Sequence, residues 1–212
     1  MYKRRAGRGA RAGGPALPPP LIGALGRARV VAAGMLVSAG GFTGYLVIGL
    51  HTSYWAVMVP AMLLSGVGMG MAMTVTADTV LASVPKDRSG SASAIAETAT
   101  ELGAALGMAI LGSVLTAVYR NTLDLPGGLP APAASAARDS LGAALQAAAN
   151  LPATVAAQVS EAAREAFVDG MHAALVCSAG LAALVAVFAL VTLRNVPKVI
   201  EEAEEPDLVT AP

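Results

Sequence analysis

The chain has 212 residues and a formal net charge of zero, with 55% hydrophobic and 13% charged residues, and its mean hydropathy is +0.63. A soluble domain carries roughly 25% charged residues, so the composition argues against a soluble fold and for a membrane-embedded one. The zero hides a segregation: Lys3, Arg4, Arg5, Arg8, Arg11, Arg27 and Arg29 precede the first apolar run without an acid among them, whereas Glu201, Glu202, Glu204, Glu205 and Asp207 crowd the end.

Residues 1–29 are basic and rich in Gly and Pro, and are expected to lie outside the hydrocarbon as a cytoplasmic segment. Residues 30–50, VVAAGMLVSAGGFTGYLVIGL, contain no Asp, Glu, Lys or Arg. Their length matches the ~20 residues a membrane helix needs, which makes them span one. Gly40 and Gly44 stand on it at the small-xxx-small spacing that lets helices approach closely. Tyr54 and Trp55 are suited to a membrane interface and open span two, 55–83, which Pro60 can bend and Pro85 ends. Gly66, Gly68 and Gly70 with Met69, Met71 and Met73 give this span a surface for close packing or for an adaptable apolar pocket. Gly66 and Gly70 are the expected packing positions. Asp78 lies near the end of the span, about 10 Å in from the same side as the acids of the next helix, and the two could face each other.

A short loop with Lys86 and Arg88 leads to span three, 90–119, which carries Glu97 and Glu101. Four residues correspond to about 6 Å of rise and about 40° of rotation, so both carboxylates leave one face. Ala94, Ala105, Met108 and Gly112 continue that face and leave room beside the acids. With Gly90 at the cytoplasmic end, Glu97 lies about 10 Å and Glu101 about 16 Å into a hydrocarbon layer of about 30 Å. Ionisable groups at that depth are costly and usually functional, and two carboxylates so close in a weakly polar site cannot both ionise cheaply. Gly103 and Gly107 form a GxxxG on the same span. Pro126, Gly127, Gly128, Pro130 and Pro132 then break the chain into an external loop, 121–169, in which 133–149 and 153–167 read as short amphipathic helices. Span four is 170–193, with His172 near its entry, and 194–212 is an acidic cytoplasmic tail.

Four spans put both ends and the loop after span two on one side, with the seven N-terminal basic residues, Lys86, Arg88, Arg194 and Lys198. The positive-inside rule makes that side cytoplasmic and the protein a multi-pass component of the plasma membrane. No enzyme is expected: there is no nucleophile and base constellation or phosphate loop, and neither His51 nor His172 has a catalytic partner in sequence. The single Cys177 offers no disulfide or metal cluster. No metal, cofactor or nucleic acid is expected, and the bilayer is the first partner.

Residues 70–119, GMAMTVTADTVLASVPKDRSGSASAIAETATELGAALGMAILGSVLTAVY, resemble helices twelve and thirteen of the fourteen-helix drug:proton antiporters of the major facilitator superfamily. They look closest to the branch that exports quaternary ammonium compounds and other lipophilic cations. That branch has an acidic pair in helix thirteen followed by Leu-Gly, matched by Glu97, Glu101, Leu102 and Gly103, and an acid in helix twelve matched by Asp78. Residues 18–34, PPPLIGALGRARVVAAG, are similar to the degenerate cytoplasmic loop between helices ten and eleven, with Gly26, Arg27 and Arg29 as its basic turn. The acid of the stronger form of that motif is lacking.

The resemblance implies an all-α integral membrane protein of four transmembrane helices, equivalent to the last four of such an antiporter, with an extracytoplasmic helical loop. It implies a portion of a proton-coupled multidrug efflux transporter, in which Glu97, Glu101 and Asp78 hold either a proton or a drug-like cation. Ten further helices are expected in such a transporter, so the chain reads as a piece of a longer or split protein with the missing half as a partner. The glycine faces also suit an alternative: a truncated, non-transporting membrane protein that packs against another and modulates it.

Overall fold

The computed structural model describes residues 26–49 and 54–193, and every regular element among them is helical. The basic segment 1–25, His51 with the turn around it, and Arg194, Lys198 and the acidic tail lie outside the described residues. In chain order the helices are α1 (Arg27–Gly44), α2 (Val59–Ala82), α3 (Ser89–Thr122), α4 (Ala131–Asp139), α5 (Leu141–Ala148) and α6 (Ala153–Thr192). Helices α1, α2, α3 and α6, taken with their flanking turns, are long and apolar enough to cross a membrane. The chain is therefore an all-α integral membrane protein.

Local chemistry explains the ends. Gly26 precedes α1 with φ 81°, a conformation glycine adopts without a steric penalty. Pro60 is the second residue of α2 and follows a π-helical turn, Tyr54–Met58. With no N–H to offer the preceding turn, a proline fits the start of a regular helix better than its middle. The expected helix over 133–149 is instead two, because Ser140 is extended (φ −166°, ψ 161°) and its hydroxyl accepts the Ala143 N–H at 3.2 Å. That is the N-cap arrangement, which ends α4 and starts α5.

Residues 153–167 and 170–193, read from sequence as two elements, form the single 40-residue helix α6. It is about 60 Å long, twice the hydrocarbon thickness of about 30 Å, so it is longer than a span needs. Gly170 does not break it. A Cβ built there would stand 2.7 Å from the Leu115 carbonyl oxygen, so the glycine is the point where α3 and α6 approach.

Helix α2 packs on α1, α1 on α6, and α6 on α3, while α2 and α3 touch little beyond their tight connection. Two cores result. Val30, Val31, Ala72, Val75 and Ala189 join α1, α2 and α6. Tyr119, Leu123, Ala137, Ala144, Ala148, Val159, Ala163 and Ala166 bind the end of α3 to α4, α5 and the first half of α6 as a compact lobe. The lobe is fastened by the Tyr119 hydroxyl, which donates to the Ala137 carbonyl at 2.7 Å. Half-buried His172 bonds the Ile48 carbonyl through Nε2 at 2.8 Å, tying α6 to the end of α1.

The close crossing of α1 and α2 falls on Gly68, part of the glycine surface read from the sequence, and on Gly34 and Gly41 of α1, which that reading did not name. A Cβ on Gly34 would stand 2.7 Å from the Gly68 carbonyl oxygen, one on Gly41 would stand 2.6 Å from the Ser65 nitrogen, and one on Gly68 would stand 2.6 Å from Ser38 Oγ. Fully buried Ser38 donates to the Ser65 carbonyl at 3.0 Å. The expected packing glycines divide into two sets: a Cβ built on Gly44 would stand 3.3 Å and one on Gly40 3.7 Å from side chains of α2, whereas one on Gly66, Gly70, Gly103 or Gly107 would meet nothing within 4 Å beyond its own helix. The reason is rotational: Gly66 and Gly70 each stand two residues, ~200°, from the contact at Gly68. Gly103 and Gly107 occupy the half of α3 that leaves its neighbours.

Candidate functional site

That separation opens a cleft of about 550 Å³ between α2 and α3, floored by Met35 of α1. From α2 it is lined by Met69, Met73, Thr76 and Val80, at positions i, i+4, i+7 and i+11 on one stripe, with Ala72, Ala77 and Leu81 beside them. From α3 it is lined by Ser93, Ala96, Glu97 and Thr100. One wall is therefore thioether and alkyl, and the other is small.

Thr76 donates to the Ala72 carbonyl at 2.8 Å and Thr100 to the Ala96 carbonyl at 2.9 Å, so each hydroxyl donor is satisfied by its own helix. Glu97 is the one carboxylate among the lining residues. When ionised, a carboxylate only accepts hydrogen bonds and would set a negative charge against the apolar wall. Its volume lies within the ~300–1,000 Å³ of small-molecule sites.

The residues singled out in the sequence are only partly brought together. Glu97 and Glu101 are both exposed, and only Glu97 lines the cleft. Asp78 is exposed as well. It follows Thr76 by two residues, ~200° of rotation, so it leaves the side of α2 away from the cleft, and the facing of Asp78 and Glu97 is not made. Arg27 and Arg29 belong to the first turn of α1, with Arg27 half-buried and Arg29 exposed; Arg27 Nη1 has no hydrogen-bond partner among the described residues. No group of three or more His, Cys, Asp or Glu among the described residues could hold a metal. A second hollow, of about 350 Å³, lies on the lobe among Asp124, Glu161, Glu165 and Asp169, and none of the sequence-derived candidates lines it.

Threonines that bond their own helix, a methionine stripe and a lone carboxylate line a cleft between two of the four helices of an integral membrane protein. Comparison with known proteins narrows the class. Over 154 residues, 72% of this chain, it is 40% identical to the multidrug efflux pump LfrA of Mycolicibacterium smegmatis, of which the match covers 31%. Over 160 residues, 76% of this chain, it is 34% identical to the methyl viologen resistance protein SmvA of Salmonella typhimurium, of which 32% is covered. The tetracenomycin C resistance and export protein of Streptomyces glaucescens is 26% identical over 176 residues, again with 32% covered. The chain thus spans about a third of the length of these relatives. It is homologous to drug efflux and resistance proteins of the major facilitator type, and its four apolar helices resemble the last four of that fold. The relatives bear the names of efflux and resistance proteins, not of enzymes. No family model and no solved structure matches.

Proposed function

We propose that this chain forms part of a proton-coupled efflux transporter for lipophilic cations, and that Glu97 holds the cation or the proton in the cleft between α2 and α3. The observation that carries the reading is the solitary carboxylate of Glu97 in a cleft whose threonines are already bonded. A cation with an apolar body gains both burial against the methionines and charge pairing with Glu97. A proton on Glu97 cancels the second gain. The two ligands therefore compete for one group, which is the requirement for exchange. Glu101, one turn on, contributes negative potential at the edge, where it would meet an approaching cation.

The positive-inside rule puts both ends and the turn between α2 and α3 in the cytoplasm of a cell whose plasma membrane holds the protein. The open glycines Gly66, Gly70, Gly103 and Gly107 suit contact with further membrane helices, those of the same transporter or, on the alternative reading, of another protein that this chain modulates. Calorimetric titration of the purified chain in lipid nanodiscs with a phenanthridinium dye tests the cation site. Binding should weaken as pH falls, because protons occupy Glu97, and Glu97→Gln should weaken it about tenfold or more. Binding equally tight at every pH and in the variant would sink the reading.

A further inference from the structure

We propose that Met69 and Met73 are specificity-determining residues that favour cations with aromatic bodies over aliphatic cations of equal charge. This rests on Glu97 being the cation site. Glu97 supplies charge alone and treats any monovalent organic cation alike, so discrimination has to come from the wall opposite. That wall holds two thioethers one helical turn apart, with Met35 at the base.

The three methionines are held differently. Met35 is half-buried and packs against the core of Val30, Val31, Ala72, Val75 and Ala189, so its position is fixed by neighbours. Met69 and Met73 are 51% and 57% exposed, so their unbranched side chains can rearrange around guests of different outline. A thioether sulfur is polarisable and makes favourable contacts with aromatic rings at ~5 Å. The facing wall of Ser93, Ala96 and Thr100 is small and leaves space for a flat ring between the helices. Rings laid against α2 therefore gain a contact that alkyl chains do not, and breadth and aromatic preference have the same two side chains as their source.

Replacing both methionines by leucine isolates this effect. Leucine conserves volume and apolar character, but it removes the sulfur and adds a branch. Met69 and Met73 are exposed, so the change leaves the helix core untouched. Met62 lies on the same face of α2, seven residues or about 10 Å of rise before Met69, and does not line the cleft, so Met62→Leu serves as the control.

The experiment is calorimetric titration of the full chain in nanodiscs with a phenanthridinium dye and with tetrapentylammonium. In Met69→Leu/Met73→Leu, affinity for the dye should fall about fivefold while that for tetrapentylammonium stays within about twofold, and Met62→Leu should change neither. A dye-to-tetrapentylammonium ratio equal to that of the unaltered chain overturns the proposal, as does an equal shift in Met62→Leu. Glu97→Gln separates the two levels. If it weakens both cations and the methionine variant leaves the ratio alone, only the specificity proposal fails. If it weakens neither, the cation site fails and the specificity proposal with it.

Discussion

Gly170 of α6 lies so close to Leu115 of α3 that a Cβ on the glycine would stand 2.7 Å from the leucine's carbonyl oxygen. A backbone atom cannot rotate away as a side chain can, so a methyl group here must part the helices. Gly170→Ala should therefore destabilise by about 1–3 kcal/mol, the usual cost of overpacking. A Cβ built on Gly180 of the same helix would meet nothing within 4 Å beyond its own helix, and Gly180→Ala should leave stability unchanged or raise it by up to about 1 kcal/mol through helix propensity. Thermal melts of both variants in one detergent compare them directly, and equal melting temperatures would remove Gly170 as a contact point.

The crossing of α1 and α2 makes a similar contrast between neighbouring residues. Gly68→Ala brings a methyl group against Ser38 and the Gly34 backbone, whereas Gly66→Ala and Gly70→Ala meet nothing. Only the first should lower the melting temperature, by an amount corresponding to about 1–3 kcal/mol. Ser38→Ala should cost less, about 0.5–1.5 kcal/mol, since it removes one hydrogen bond. A ranking in which Gly66→Ala or Gly70→Ala is the most damaging would place the helix contact on the wrong face.

These glycines mark the limit of what the sequence reveals. Uncharged runs near 30–50 and 170–193 are fixed by the bilayer's thickness and by the cost of burying charge, so the spanning helices could be read directly. Which face of a helix meets its neighbour is set by the mutual rotation of two elements, and α2 carries small residues on several faces. The motif spacing drew attention to Gly66 and Gly70, while Gly68 between them makes the contact. The sequence reading ended the external loop at 169 and began span four at 170, whereas α6 runs unbroken through Gly170, where α3 approaches. At the candidate site, the 3.6-residue period set Glu97 and Glu101 on one side of a helix, but only Glu97 lines the cleft. Whether Asp78 faced them depended on the rotation of α2, and Met35 could not be placed at the cleft without knowing which helices adjoin.

The lobe built from α4, α5 and the start of α6 hangs on Tyr119, whose ring is buried and whose hydroxyl donates to the Ala137 carbonyl. Tyr119→Phe keeps the ring but orphans that carbonyl, at a cost of about 1–3 kcal/mol. Next to it, Arg120 and Asp139 form an ion pair at 3.7 Å with both side chains more than half exposed, and such a pair contributes at most about 1 kcal/mol. Hydrogen exchange of the α4 and α5 amides should accelerate more in Tyr119→Phe than in Asp139→Ala. The reverse order would mean that charge rather than the buried hydroxyl fastens the lobe.

The three membrane acids should separate in a single binding series. Glu97 lines the cleft, Glu101 stands on the next stripe of the same helix, and Asp78 leaves α2 on the far side. At an effective dielectric constant near 20, two unit charges 4 Å apart interact by about 4 kcal/mol, and the energy falls inversely with distance. A cation held in the cleft therefore feels Glu97 most, Glu101 less and Asp78 least. Affinity for a phenanthridinium dye should fall by about tenfold or more in Glu97→Gln, by a smaller factor in Glu101→Gln, and by no more than about twofold in Asp78→Asn. The same order should appear in the pH dependence, which Glu97→Gln should flatten and Asp78→Asn should leave in place. A loss in Asp78→Asn as large as that in Glu97→Gln would put the cation between α2 and some other element, outside this cleft.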